Sequence, residues 1–101
     1  MFVSNMIGNT GEPVVNQFVI TEGNKTWFQS YDTLIAVIIT GQVFLDINKW
    51  DYSQTTGKYR NRFLSETKKE TQAKINSGEY LMRNLNKRKG SRIMIEGVAD
   101  E

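Results

Sequence analysis

The side chains that most often do chemistry near neutral pH are missing from this chain, whose 101 residues hold neither histidine nor cysteine. Without imidazole there is no ready general base, and without a thiol there is no cysteine nucleophile, thiolate zinc site or disulfide. A reaction would fall to carboxylates, lysines, tyrosines or serines. Glu22, Asp46 and Asp51 stand near the ends of predicted strands, where two carboxylates could face each other as in a glycosidase. Acids in such places more often cap turns or meet solvent, so no catalytic residue is expected. Gly8, Gly11 and Gly23 lack both the spacing and the following Lys-Ser/Thr of a phosphate-binding loop. No cofactor and no metal are expected either, which leaves functions that grip rather than react.

The cations carry the gripping potential. Residues 1–57 hold two basic against five acidic side chains, residues 58–92 hold eleven against three, and residues 93–101 add three acids, so a net charge of +2 conceals a strongly basic stretch. On one continuous helical wheel Lys58, Arg62 and Lys69 fall within about 40° of one another, with Lys68 beside them. Such a face can meet phosphates, releasing counterions from DNA or RNA, or an acidic protein partner. It can equally be a solvated face whose lysines pair with Glu66 and Glu70. Lys87, Arg88, Lys89 and Arg92 make a second basic cluster. No zinc-finger, RNA-recognition or helix-turn-helix signature accompanies either. Trp27, Tyr31 and Trp50 are the aromatic surface candidates, since strand alternation leaves one side of the Trp27–Tyr31 cluster available to a partner; burial in the core is the competing reading.

These residues need elements to hold them. Residues 1–16 mix glycine, asparagine and the single proline without periodicity, and are expected to form a flexible arm with at most a short edge strand at residues 13–15. Residues 17–22 and 26–31 are β-rich runs around Gly23-Asn24, a hairpin signal. A second pair follows at residues 34–39 and 43–47. Its first run is continuously apolar, as in a central strand, and far too short to span a bilayer. From about Ser53 to Asn76 the composition favours a helix that Asp51 or Ser53 could cap and Ser77-Gly78 could end. Thr67 with Glu70 has the form of a capping box, which allows a break near Ser65. A last strand is expected within residues 79–85. The fold class is therefore α+β: an antiparallel sheet of four to five strands, two hairpins plus a C-terminal strand, packed on one long or broken helix. Residues 17–86 make the single domain, and residues 87–101 a basic then acidic tail. The start shows no secretory signal pattern, so a cytoplasmic protein is expected.

Phe28-Gln29-Ser30-Tyr31, Gly41-Gln42-Val43-Phe44-Leu45-Asp46, Trp50-Asp51-Tyr52-Ser53, the run from Lys58 to Leu64 and the run from Glu66 to Tyr80 resemble a small domain family of unknown function encoded by tailed bacteriophages and prophages. The resemblance covers roughly residues 16–86 and brings no catalytic signature. It implies a phage accessory protein in the cytoplasm of an infected bacterium. Such a protein would act without chemistry, binding a host protein or protein–nucleic-acid complex and inhibiting a host defence or nuclease complex in the manner of an anti-CRISPR protein. A small nucleic-acid-binding module and a minor structural virion protein stay open as alternatives. So does a homodimer formed through a sheet edge or through the 34–39 strand.

Overall fold

The computed structural model describes residues 1–86; the basic cluster Lys87, Arg88, Lys89 and Arg92 lies outside the described residues. Six strands form one sheet in chain order: β1 (Phe2–Ile7), β2 (Pro13–Glu22), β3 (Lys25–Ser30), β4 (Thr33–Ile39), β5 (Gln42–Asp46) and β6 (Leu81–Arg83). Two helices, α1 (Gln54–Leu64) and α2 (Lys68–Ser77), lie between β5 and β6. The first five strands are an antiparallel meander, whereas β6 runs parallel to β5. Parallel pairing needs a long crossover, and the two helices supply it. No helix among the described residues is long and apolar enough to cross a membrane.

The α+β class stands, with two differences in detail. Residues 1–16 are not an arm: Phe2–Ile7 is β1 and pairs with β2, which begins at Pro13. Alternation there is interrupted by Ser4 and Asn5, so the strand is defined by its partner more than by its own pattern. The sheet accordingly has six strands, and the last is parallel. Of the long or broken helix expected, the broken form is found: Ser65 takes a left-handed conformation at φ 57° and ends α1. Thr67 then caps α2 through the expected box: Thr67 Oγ1 accepts from the Glu70 backbone N–H, and the Thr67 backbone N–H donates to Glu70 Oε1.

Two tight turns set the register of the meander. Gly23, at φ 60°, makes the β2–β3 turn without Asn24 needing a positive φ. Thr40 and Gly41 both have positive φ between β4 and β5, an uncommon demand on a β-branched residue. Between β3 and β4 the register shifts, so that Ile35 is an extra residue opposite Phe28 and joins Ala36 on the helix-facing side.

That side holds Phe28, Ile35, Ala36, Val43 and Leu45 with Tyr80, packed against Trp50, Tyr59, Phe63 and Ile75. Phe28 stacks on Phe63 with ring centroids 5.7 Å apart. The hydroxyls of Ser30 and Thr56, both buried, meet at 3.1 Å and tie α1 to β3. The opposite side of the sheet carries Ile20, Trp27, Leu34 and Val37 with Phe44 and Leu85. Beyond the end of β5, the Asn86 side chain replaces a strand for one residue: the Leu34 N–H donates to its Oδ1 and its Nδ2 donates to the Leu34 carbonyl, each at 2.9 Å. β4, the continuously apolar run, is interior to the sheet, with residues 34–37 fully buried. It therefore offers no edge for a partner copy.

Candidate functional site

Where β5 leaves the sheet, a buried carboxylate shapes the chain. Asp46 Oδ2 accepts from the backbone N–H groups of Asn48 and Lys49, and Oδ1 from that of Leu85 at 2.7 Å. One side chain thereby folds the 47–50 turn and fixes the far end of the domain onto it. The turn delivers Trp50 and Asp51 to α1, whose first turn is capped by Ser53.

From the second turn of α1, Arg60 reaches back to both. It is 1% exposed. Nη1 donates to the Trp50 carbonyl at 2.7 Å and to Asp51 Oδ1 at 3.1 Å, Nη2 donates to Asn61 Oδ1, and the guanidinium lies 5.0 Å from the Trp50 ring centroid. Lys68, the first residue of α2, closes on the other oxygen of Asp51 at 2.7 Å. Burial pushes the Asp51 carboxyl up, but the hydrogen bonds and charges of Lys68 and Arg60 outweigh it and hold the group below its ordinary range. Asp51 is therefore a fixed anion that locks the two helices together, with no proton to trade near neutral pH.

Above this lock lies an open depression of about 620 Å³, with Tyr52, Gln54, Lys58, Asn61 and Lys68 around Asp51 and Arg60. Its lining carries three cations against one anion. Lys58 is exposed, 5.3 Å from the Tyr59 ring centroid, and Tyr52 is exposed beneath Lys49. Lys69 follows Lys68 in the first turn of α2 and is exposed. The macrodipole disfavours cations in that turn, so two consecutive lysines there oppose the local electrostatics of the helix.

A second polar cluster is centred on Glu66, in the link between α1 and α2. Glu66 accepts from Lys74 Nζ at 2.7 Å, from the Tyr80 hydroxyl at 2.9 Å and from the Thr71 hydroxyl at 2.6 Å. Burial raises the Glu66 carboxyl, and these donors more than reverse it, so its pKa is lowered; the Glu66 hydrogen bond raises that of Lys74. Every acceptor oxygen faces a donor from its own fold. Among the described residues no group of three or more Asp or Glu stands close enough to hold a metal ion.

A model of a family of unknown function, DUF8033, matches residues 1–79. The chain belongs to the DUF8033 family. No curated protein and no solved structure matches it. The DUF8033 match starts at residue 1, so the first hairpin is part of the family's domain, and the match takes in the whole depression.

Within this DUF8033 domain the residues singled out in the sequence part company. Lys58 and Lys68 come together at the depression with Lys69 next to them. Arg62, one turn after Lys58 on the same helix, does not join them. Its guanidinium instead donates to the Ile7 carbonyl at 2.7 Å and to Asn9 Oδ1, tying α1 to the first hairpin. Trp27 is a core residue at 1% exposure, and Trp50 is half-buried under Arg60. Tyr31 is 52% exposed at the end of β3 with φ 58°, so of the three aromatic surface candidates it is the one that lies on the surface. Arg60 is the residue that wheel reasoning undervalues: a cation on the apolar side of a helix, nine positions after an aspartate, signals a buried pair.

Proposed function

We propose that the protein acts without chemistry, as a phage-type accessory protein that binds an acidic surface of a host macromolecule through the depression at the start of α1 and α2. The observation that carries this reading is the pair Lys68 and Lys69 in the first turn of α2, with Lys58 across the depression. Cations placed against a helix dipole cost stability, and a local rule broken without structural gain is commonly a binding device. Lys68 has a partial structural reason in Asp51 and Lys58 a ring contact with Tyr59, whereas Lys69 has no such partner among the described residues. The floor under them is rigid, because Arg60 and Asp51 are fixed by several bonds each. The non-enzymatic part of the reading is supported by Asp46, Asp51 and Glu66, whose oxygens are all engaged in holding turns and helices. The phage setting, and inhibition of a host defence or nuclease complex, rest on the family resemblance described above.

The test is capture from a bacterial lysate with the wild-type chain and with Lys58→Glu/Lys69→Glu as baits. One dominant host protein on the wild-type bait, absent from the double variant, supports the reading. Nucleic acid as the sole retained material, lost steeply as salt rises, would instead favour the nucleic-acid module.

A further inference from the structure

The two edges of the sheet are built differently. β6 closes one side with three residues, one of them Arg83. β1 closes the other with six, Phe2–Ile7, none of them charged. Edge strands normally carry a device against pairing with another chain, such as a lysine, an inward charge, a proline or extreme shortness. β1 itself has only an irregularity between Asn5 and Ile7, and at its far end the Arg62 guanidinium takes up the Ile7 carbonyl, which leaves residues 2–6 as the unguarded stretch. Apolar side chains around it stay in solvent: Phe2 is 67% exposed, Ile7 55%, and Val15 on the neighbouring β2 75%. Val3, 47% exposed, ends a row that continues through Ile20, Trp27, Val37 and Phe44, so among the described residues the apolar side of the sheet runs out at β1.

The geometry points to β1 as the pairing edge for a second copy of this chain, antiparallel across a twofold axis, so that two sheets become one. A twofold sets the same surface against itself, and here that surface is self-compatible. Each copy carries a net +2, yet two β1 strands bring no like charges opposite one another. An uncharged, apolar strand is what this edge accepts without leaving a charge unpaired, and β1 is itself such a strand. The apolar side chains with the strand backbone offer on the order of 400 Å² per copy, about half of what a standard interface buries on each side. The pairing is therefore weak and concentration-dependent. It uses a surface apart from the basic depression, so it stands or falls independently of the proposed function.

Sedimentation velocity of the full chain from about 10 μM to about 1 mM tests it, together with a cysteine scan that the absence of native cysteine makes unambiguous. The expected result is an average mass that climbs toward the dimer. Under mild oxidation at least one of Val3→Cys, Ser4→Cys and Asn5→Cys should form a disulfide-linked dimer, while Leu81→Cys on the opposite edge should not. Val3→Glu should stay monomeric with the wild-type circular dichroism spectrum. A monomer at every concentration would overturn the inference, whether or not a host protein occupies β1. A dimer that Val3→Glu leaves intact, or that no β1 cysteine captures, would overturn it equally.

Discussion

Replacing Glu66 by alanine removes the acceptor for Lys74, Tyr80 and Thr71 at once. The side chain is 5% exposed, Thr71 is fully buried and Tyr80 is 8% exposed, so their hydroxyls lose a partner where water cannot readily replace it. Thr71 keeps its weaker bond to the Thr67 carbonyl, and Lys74, more than a third exposed, regains solvent. Removing one member of a fully buried charged network costs about 3–5 kcal/mol, and the exposure of Lys74 places this case at about 3. In a domain of this size each kcal/mol moves Tm by about 4–8 °C, so Glu66→Ala should melt about 12–24 °C below wild type. Glu66→Gln keeps the shape and part of the bonding and should lose about half as much. The acid side follows from the lowered carboxyl pKa. Because the folded value lies below the ordinary 4.5, the contribution is complete above that pH and fades as pH falls through the folded value. The wild-type melting temperature should therefore drop more steeply below pH 4.5 than that of Glu66→Gln. Calorimetric or dichroism melts of the three proteins between acid and neutral pH decide the matter. A loss under about 1 kcal/mol in the alanine variant, or parallel acid limbs for wild type and Glu66→Gln, would show that the cluster carries no net stability.

Two further substitutions probe particular contacts. Arg62→Ala should leave the global melt nearly unchanged while amide exchange in β1 accelerates by about tenfold, the equivalent of about 1.4 kcal/mol of lost tethering; an unchanged exchange pattern would mean that the bonds to Ile7 and Asn9 do not restrain the hairpin. Thr40→Asn should raise stability by about 0.5–1 kcal/mol, because asparagine accepts the left-handed conformation at φ 47° more readily than a β-branched residue; a lower Cm in urea would show that the Asn24 bond to the Thr40 hydroxyl matters more than the backbone.

The central hairpins are legible in the sequence because alternation and turn residues coincide there, as at Gly23 between Glu22 and Lys25. The break between the helices is legible for a local reason too, since the box formed by Thr67 and Glu70 lies within one turn. β1 is harder to read because Ser4 and Asn5 interrupt its pattern and its partner begins beyond a turn. The orientation of β6 is fixed by the path of the helices across the sheet, which no three-residue segment encodes. The basic residues mislead for the same reason: Arg62 and Lys68 look like solvent-facing cations until the fold brings Ile7, Asn9 and Asp51 to them. The buried lock around Arg60 could have been anticipated from its place on the apolar side of α1, whereas the exposure of Tyr31 depends on a left-handed backbone at the end of β3.

On the proposed reading Lys58 and Lys69 grip an acidic host macromolecule over the floor made by Arg60 and Asp51. The most direct measurement compares lysate capture by folded wild type and folded Lys58→Glu/Lys69→Glu at low and high salt, with bound proteins identified by mass spectrometry. One dominant protein should appear on the wild-type bait, diminish at high salt and vanish from the double variant. Equal capture of the same protein by both baits would contradict the claim.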